Sequence, residues 1–149
     1  MVIEEITARN RSLYARLLIG RARHLMLNAR QKELAPYHIS SRQAYILYIL
    51  YHLDKKATLA TLAKDSDREI NTISLQMTTL EKDGLVKKIR EVPKSRLLRF
   101  ELTEKGLATF SKSKNQKVDK AIMSALSKEE REQLISLLKK IIIKAEKYQ

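Results

Sequence analysis

The chain has 149 residues, no cysteine and a formal net charge of +13, which fits one domain or one domain with a helical extension. The lack of cysteine excludes disulfides and thiolate metal ligands, and the positive charge indicates a nucleic acid or an anionic membrane surface as partner. The N-terminal sequence MVIEEITARNR lacks the apolar segment of a signal peptide, and no apolar run is long enough to span a bilayer. These features predict a cytoplasmic protein.

The N-terminal part of the chain has the pattern of one long helix. Only three glycines and two prolines interrupt the whole sequence, which indicates a mostly helical protein. From Ile3 to Leu34 the apolar residues recur at helical spacing in two stripes, which predicts a helix that is buried on more than one side. We expect this helix to end near Ala35, because the residue before Pro36 is disfavoured in the helical conformation.

The next segment has the pattern of a helix-turn-helix. Ser40 or Ser41 is suited to cap a second helix, and Thr58 is suited to begin a short third one. Residues 65–67, Asp-Ser-Asp, predict a turn, and a further helix follows from Arg68 to Lys82. A short helix, a tight turn and a second helix in this order are typical of a helix-turn-helix.

Two strand-like runs follow the helix-turn-helix. The runs LVKKI and LLRFEL alternate apolar and polar residues, and a Pro-Lys-Ser-Arg turn joins them. A β-ribbon in this place is a wing. Residues 84–101 carry six basic and two acidic side chains, whereas residues 57–83 carry three basic and five acidic ones. The wing is therefore predicted to be the electropositive element that meets DNA phosphates.

The C-terminal part of the chain returns to helical patterns. Thr103 is suited to cap a helix that continues through Leu126, and Ser127 with Glu130 forms a capping box for the last helix. The terminal helices are long and amphipathic, so we expect a second copy of the chain to cover their apolar surface. An intramolecular bundle is the alternative.

The helix from Arg68 to Lys82 has one apolar side, formed by Ile70, Ile73, Met77 and Leu80. Small polar residues on its opposite side can approach base edges, and Leu75 can pack on a thymine methyl group. The alternative for each of these residues is that it lies on a solvated face and contacts no DNA. The residues predicted to bind DNA are Arg68, Asn71, Ser74, Leu75, Thr78, Thr79, Lys82, Lys94 and Arg96.

Four motifs in this order resemble the MarR family of winged-helix transcriptional regulators: ISSRQA, LATLAKDSD, LEKDGLVKK and LTEKG. The resemblance extends from about Tyr14 to Leu138. It implies a homodimer with interlocked terminal helices, recognition helices in successive major grooves and wing tips in the flanking minor grooves. The family's wing commonly carries an aspartate two residues before its arginine. Here Arg96 matches the arginine, but Lys94 replaces the aspartate, which implies stronger phosphate binding and weaker geometric selectivity.

The predicted fold class is mainly α with a small β-ribbon, a winged helix-turn-helix with long N- and C-terminal dimerisation helices. We expect an N-terminal dimerisation helix over residues 1–35, a winged helix-turn-helix DNA-binding domain over 36–106 and C-terminal dimerisation helices over 107–149.

The resemblance also implies a small anionic aromatic effector that binds between the DNA-binding and dimerisation parts. The candidate residues for such a site are Tyr14, His24, Tyr45 and Tyr48. The alternative is that the tyrosines are core residues with one satisfied hydroxyl and that His24 is a packed histidine. The three histidines do not have metal-ligand spacing, so we expect no metal and no cofactor.

Other classes of function fit the sequence less well. The chain has no phosphate-binding loop, no nucleophile motif and no paired carboxylates in an apolar setting, which argues against an enzyme. A membrane-surface protein would carry its basic residues along an amphipathic helix. The sequence therefore predicts a repressor that binds double-stranded DNA as a homodimer on a palindromic operator and is released by a small ligand. A winged-helix protein that binds RNA, or nucleic acid without sequence preference, is the alternative.

Overall fold

The structure is a computed structural model that describes residues 2–54, 57–90, 93 and 96–149. Backbone contacts divide the chain into two compact units, residues 1–115 and residues 116–149. The elements of the first unit are α1 (Val2–Arg9), α2 (Arg11–Leu34), a 3-10 helix (Ala35–Tyr37), α3 (Ser41–Leu53), α4 (Leu59–Ser66), α5 (Ile70–Lys82), β1 (Val86–Ile89), β2 (Arg99–Leu102) and α6 (Glu104–Ser113). The second unit contains α7 (Lys117–Met123) and α8 (Lys128–Glu146).

Side-chain caps fix the starts of α3 and α4. Ser40 accepts a hydrogen bond from the backbone N–H of Gln43, and the Gln43 side chain accepts one from the backbone N–H of Ser40. Thr58 and Thr61 form the same reciprocal pair at α4. Both caps satisfy N–H groups that have no partner inside the helix, so the predicted helix starts at Ser40 and Thr58 are confirmed.

The turn of the helix-turn-helix lies later in the chain than predicted: it consists of residues 67–69, so α5 begins at Ile70 and not at Arg68. Asp65 and Ser66 belong to the last turn of α4, where the Ser66 hydroxyl donates to the carbonyl oxygen of Leu62 at 2.6 Å. Asp67 is the first residue outside α4 and adopts the left-handed conformation with φ 52°. The prediction of a turn over residues 65–67 was therefore wrong for two of its residues, because a serine that bonds back to its own helix continues that helix.

One hydrophobic core holds α3, α4, α5, the wing and α6 together. Its largest fully buried side chains come from helices and strands alike and are Leu34, Ile46, Leu47, Leu62, Ile73, Met77, Leu80, Val86 and Phe100. Helix α5 therefore packs on the core through one side from Ile73 to Leu80, which fixes the direction of its opposite side.

The wing is a two-stranded antiparallel sheet in which Val86 pairs with Leu102 and Ile89 with Arg99. The backbone N–H of Phe100 donates to the carbonyl oxygen of Ala57 at 2.8 Å, so the segment before α4 lies alongside β2. The second strand is shorter than the predicted run LLRFEL, because β2 begins at Arg99 and does not include residues 97 and 98.

The LTEKG segment attaches the base of the wing to α6. The Thr103 hydroxyl accepts a hydrogen bond from the backbone N–H of Gly106 at 3.0 Å and donates to the carbonyl oxygen of Gly84 at 2.5 Å. A Cβ atom at Gly106 would lie 1.9 Å from the carbonyl oxygen of Leu85. Position 106 therefore needs glycine because of close packing, and the predicted cap at Thr103 is confirmed.

Two long helices predicted from the sequence are interrupted. The single helix predicted from Ile3 to Leu34 is divided at Asn10, whose side chain accepts a hydrogen bond from the backbone N–H of Leu13 and caps α2. The helix predicted to continue from Thr103 through Leu126 ends at Ser113, and Gln116 then adopts the left-handed conformation with φ 45°. Periodicity continues across both interruptions and therefore hides them.

The terminal helices expose most of their apolar side chains. In α2, all of whose residues are described, only Leu34 is buried, and α7 and α8 contain no buried residue. The exposed large apolar side chains of these helices are Leu17, Leu18, Ile19, Leu25, Leu27, Ile122, Ile135, Leu137, Ile141, Ile142 and Ile143. The prediction that the N-terminal helix is buried on more than one side is therefore not met within one chain. Among the described residues, no helix combines the length and the apolar character needed to cross a membrane.

Candidate nucleic-acid interface

Helix α5 has one buried and one exposed side. Ile73, Met77 and Leu80 are at most 1% exposed and point into the core. The opposite side exposes Asn71, Leu75, Thr78, Thr79 and Lys82, with Ser74 partly buried beside them. The side chain placement that we predicted for these residues is thus observed, while their contact with DNA stays a prediction. We call this set of six residues the reading face.

One residue of α5 departs from the predicted pattern. Ile70 was expected on the apolar side, but it is 52% exposed. It is the first residue of α5 and lies beside the turn, beyond the edge of the core. Helical spacing gives the angle of a side chain around the helix axis, but not how far along that axis the core extends.

The threonine hydroxyls of the reading face are already engaged as donors. The Thr78 hydroxyl donates to the carbonyl oxygen of Ser74 at 3.0 Å, and the Thr79 hydroxyl donates to that of Leu75 at 3.2 Å. The oxygen lone pairs and the methyl groups of both threonines remain available. They can accept hydrogen bonds from the amino groups of adenine or cytosine and can contact thymine methyl groups.

Arg68 lies before α5 and not on the reading face. Its backbone N–H donates to the carbonyl oxygen of Ala63 at 3.0 Å, and Glu69 follows it as the N-cap residue of α5. Its side chain lines a cavity together with Arg23 of α2 and Tyr45 of α3. The structure therefore groups this DNA-binding candidate with one of the candidate effector residues.

The base of the wing carries internal ion pairs. Glu101 lies 3.1 Å from Arg99 and 3.9 Å from Lys87, and Glu81 of α5 lies 3.4 Å from Lys88. These acids offset much of the positive charge that we predicted for the ribbon, and the Lys88–Glu81 pair links β1 to the recognition helix. Positive charge remains toward the tip, where Arg96 is exposed. Lys94 lies outside the residues that the structure describes.

Two neighbouring cavities lie between α2 and the helix-turn-helix. The larger has a volume of about 580 Å³, and the smaller has a volume of about 120 Å³. Leu27, Ser41, Arg42 and Gln76 line both. Tyr45 lines the smaller cavity, and its hydroxyl donates to the carbonyl oxygen of Asp65 at 3.3 Å. The sequence analysis did not predict that Arg23 and Arg42 line a cavity. Their position there follows from the packing of α2 against α3, which no sequence motif marks.

The other candidate effector residues lie elsewhere on α2 and α3. Tyr14 packs beneath Arg11, with the guanidinium carbon 5.4 Å from the ring centre. His24 is exposed and within 3.0 Å of the Asn28 amide, so the alternative of a packed histidine was wrong for the single chain. Tyr48 lies 4.3 Å, between ring centres, from His52.

An aromatic cluster on α3 and α6 was not predicted as a unit. The ring of Tyr51 stacks on that of Phe110 at 4.4 Å, and Tyr48 lies 6.3 Å from the same ring. The described part of the chain contains no group of three histidine, aspartate or glutamate side chains placed to hold a metal ion.

A family described as winged helix DNA-binding domain (HTH_27) matches residues 39–106. No curated protein matches the chain.

Several solved structures share the fold. The organohalide-sensing RdhR transcriptional regulator, in its 2,4-dichlorophenol-bound form, is 28% identical over 86% of this chain and 77% of that chain, with a TM-score of 0.80. MepR from S. aureus in complex with DNA is 24% identical over 86% of this chain and 96% of that chain, with a TM-score of 0.79. A mutant of E. coli MarR in complex with operator DNA is 20% identical over 89% and 96% of the two chains, with a TM-score of 0.82. The last two likenesses show the fold alone.

The predicted fold class is confirmed by the order of the elements, by the match over residues 39–106 and by these structural neighbours. The chain therefore contains a winged helix, and its fold is similar to that of the RdhR, MepR and MarR regulators.

Proposed function

We propose that the chain is a transcriptional regulator that binds double-stranded DNA sequence-specifically. The observation that carries this proposal is the reading face of α5, whose small polar side chains and Leu75 lie opposite the buried Ile73, Met77 and Leu80. A helix held in this way presents its exposed side chains in fixed directions, as a major-groove reader must. The RdhR transcriptional regulator among the structural neighbours supports the same function.

The proposed base contacts follow from the chemistry of the reading face. Asn71 has an amide that can pair with N6 and N7 of adenine. Thr78 and Thr79 act as acceptors because their donors are engaged with the helix backbone. Leu75 is 72% exposed and supplies an apolar contact to a thymine methyl group.

The proposed phosphate contacts come from basic residues at the two ends of α5 and on the wing. Arg68 precedes α5 and Lys82 ends it. At the wing we assign Lys94 to phosphate by its charge and Arg96 to the minor groove, where A·T-rich flanks concentrate negative potential. We expect Arg96→Ala to lose most affinity on sites with A·T-rich flanks, and Lys94→Ala to weaken all sequences evenly.

We propose that two chains bind together on a palindromic operator and repress transcription. The exposed apolar side chains of α2 and α8 supply the surface for a partner chain. Two recognition helices can enter successive major grooves only if the dimer holds them about 34 Å apart. We propose domain boundaries at residues 35 and 106. Dimerisation helices then lie on either side of the DNA-binding part.

We further propose that a small aromatic effector releases the protein from DNA. The RdhR regulator is known in a 2,4-dichlorophenol-bound form. In this chain the cavity of about 580 Å³ beside α5 is large enough for a single ring. Tyr45 borders the adjoining cavity, while Tyr14, His24 and Tyr48 are further candidates on α2 and α3.

The test is to sequence the genomic DNA fragments that the purified protein selects and then to measure binding to the enriched site and to random duplex DNA. We expect Ser74→Ala and Thr78→Ala to reduce discrimination between the two by about 1–3 kcal/mol per lost contact. Ser111→Ala, on the exposed side of α6, is the matched control. Equal weakening on both duplexes would show that these side chains do not read bases. Tighter binding to single-stranded RNA at equal salt would favour the RNA-binding alternative.

A further inference from the structure

Two of the sequence motifs meet at the junction between the recognition helix and α6. LEKDG, residues 80–84, ends α5, and LTEKG, residues 102–106, begins α6. The Lys105 ammonium group donates a hydrogen bond to the carbonyl oxygen of Asp83 at 2.7 Å. Thr103 donates from its hydroxyl to the carbonyl oxygen of Gly84 at 2.5 Å and from its backbone N–H to that of Leu85 at 3.1 Å. The start of α6 therefore binds three consecutive carbonyl groups that follow α5.

The Lys105 side chain has a fixed course although it is exposed to solvent. A Cβ atom at Gly84 would lie 3.9 Å from Cδ of Lys105, so the aliphatic part of the lysine passes over this glycine on its way to Asp83. Its ammonium group lies at the C-terminal end of α5, where the partial negative charge of the helix favours a cation. Lys105 is thus held both by packing and by its charge.

The segment that Lys105 binds is in turn bonded to the last turns of the recognition helix. The backbone N–H of Asp83 donates to the carbonyl oxygen of Thr79 at 2.9 Å, and that of Leu85 donates to the carbonyl oxygen of Leu80 at 2.9 Å. Thr79 belongs to the reading face. A continuous set of hydrogen bonds therefore connects the first turn of α6 with the end of the reading face.

We propose that Lys105 is a positioning residue that fixes the end of the recognition helix on α6. It acts on α5 through the carbonyl group of Asp83 and does not itself contact DNA. The chain continues from α6 into α7 and α8, whose exposed apolar side chains we assign to the partner chain. The direction of each recognition helix relative to its partner is then set in part at this junction.

The consequence for DNA is a strict separation of the two half-sites. One turn of duplex DNA has about 10.5 base pairs over about 34–36 Å, so one added base pair moves a half-site by about 3.4 Å and rotates it by about 35°. A recognition helix that is held firmly on α6 cannot follow this change, whereas a loosened one can. This consequence rests on the proposed function, but the positioning of α5 does not.

The first experiment measures amide hydrogen exchange in the full-length, DNA-free protein. Lys105→Met should raise the exchange rates of the backbone N–H groups of Asp83 and Leu85 about threefold, because one exposed charged hydrogen bond contributes modestly to local stability. Lys112→Met is the matched control. Lys112 is exposed on the same helix, two turns later and about 10 Å further along its axis. It should leave both rates unchanged, and Lys105→Arg, which keeps a charged donor, should restore them.

The second experiment compares three duplexes: the enriched palindromic site, the same site with one base pair added between its half-sites, and a duplex with a single half-site. We expect the unaltered protein to bind the lengthened site more weakly than the enriched one. Lys105→Met should reduce this difference about threefold and leave the affinity for the single half-site within about twofold. Lys105→Arg should restore the difference, and Lys112→Met should not alter it.

Two results would overturn the proposal. One is equal exchange rates at Asp83 and Leu85 in the Lys105→Met and Lys112→Met variants. The other is an even loss of affinity on all duplexes with a slope of log affinity against log salt that is lower by about 1 per chain, which would make Lys105 a phosphate contact. Failure of the unaltered protein to discriminate between the enriched site and random duplex would overturn the proposed function instead. The exchange rates of the DNA-free protein then still decide whether Lys105 positions α5.

Discussion

The winged helix-turn-helix buries most of its large apolar side chains, whereas the terminal helices expose most of theirs. In the described part of the chain, every buried apolar residue lies in residues 36–106 except Leu34, at the end of α2, and Phe110, in α6. Helix α8 also has an apolar stripe, yet its residues Leu137, Ile141 and Ile142 are each more than half exposed. The first region completes its core within one chain. The second is complete only when another surface covers it, and we propose that a second chain does so.

The largest effect is expected in the core. Phe100→Ala removes a side chain that is 2% exposed between β2 and the helices, and we expect it to lower the free energy of unfolding by about 3–5 kcal/mol. Chemical denaturation measures this change. Leu75→Ala is the control, because Leu75 is 72% exposed and should change stability by less than about 0.5 kcal/mol. Similar losses in both variants would mean that burial does not distinguish the two sites.

The next effect concerns association of the chain. Leu137→Glu places a charge on the apolar stripe of α8 and should weaken dimer formation by about ten- to a hundredfold, because burial of one leucine contributes about 1.5–3 kcal/mol. Sedimentation equilibrium over a range of concentrations measures the dimer constant. Ser136→Glu adds the same charge on the polar side of α8 and should leave the constant unchanged. A protein that sediments as a monomer before any substitution would contradict the proposed dimer.

A smaller effect is expected where the wing joins α6. Thr103→Ala removes a hydroxyl that accepts from the backbone N–H of Gly106 and donates to the carbonyl oxygen of Gly84. We expect a loss of about 1 kcal/mol, as is typical of a helix N-cap. Thr103→Ser keeps the hydroxyl and should retain most of the stability. If serine fails to rescue, the threonine methyl group and not the cap stabilises this junction.

The smallest effect is expected at the exposed link between the wing and the recognition helix. Glu81→Gln removes the ion pair with Lys88, which should cost less than about 1 kcal/mol because both side chains are exposed to solvent. We expect its effect on thermal unfolding to disappear in high salt. A loss comparable to that of Phe100→Ala would show that the link is part of the core.

The sequence predicted the core of the fold well because its signals are local. Capping residues such as Ser40, Thr58 and Thr103 accept hydrogen bonds from backbone N–H groups three residues later, so their role can be predicted from the local sequence. The interruptions at Asn10 and Gln116 were missed because neither disturbs the spacing of the apolar residues.

The candidate interface was predictable only in part. The exposed side of α5 follows from helical geometry, so its residues could be named in advance. The pairing of Lys88 with Glu81 joins two elements, and the cavity shared by Arg23 and Arg68 joins residues 45 positions apart, so neither leaves a local pattern. The exposure of Ile70 depended on where the core ends, which the residues of α5 do not specify.

The contact of Arg30 with the end of α6 has a consequence for the order of folding. The Arg30 guanidinium donates to the carbonyl oxygen of Ser113 across 83 positions and also pairs with Glu33. Closing a loop of that length in an unfolded chain costs about 4 kcal/mol of entropy, so this contact is expected to form after the intervening helices have brought its ends together. A contact that is absent from the folding transition state changes the rate of unfolding and not of folding. We therefore expect the contact between Arg30 and Ser113 to form late in folding, to slow unfolding and so to lengthen the lifetime of the native state.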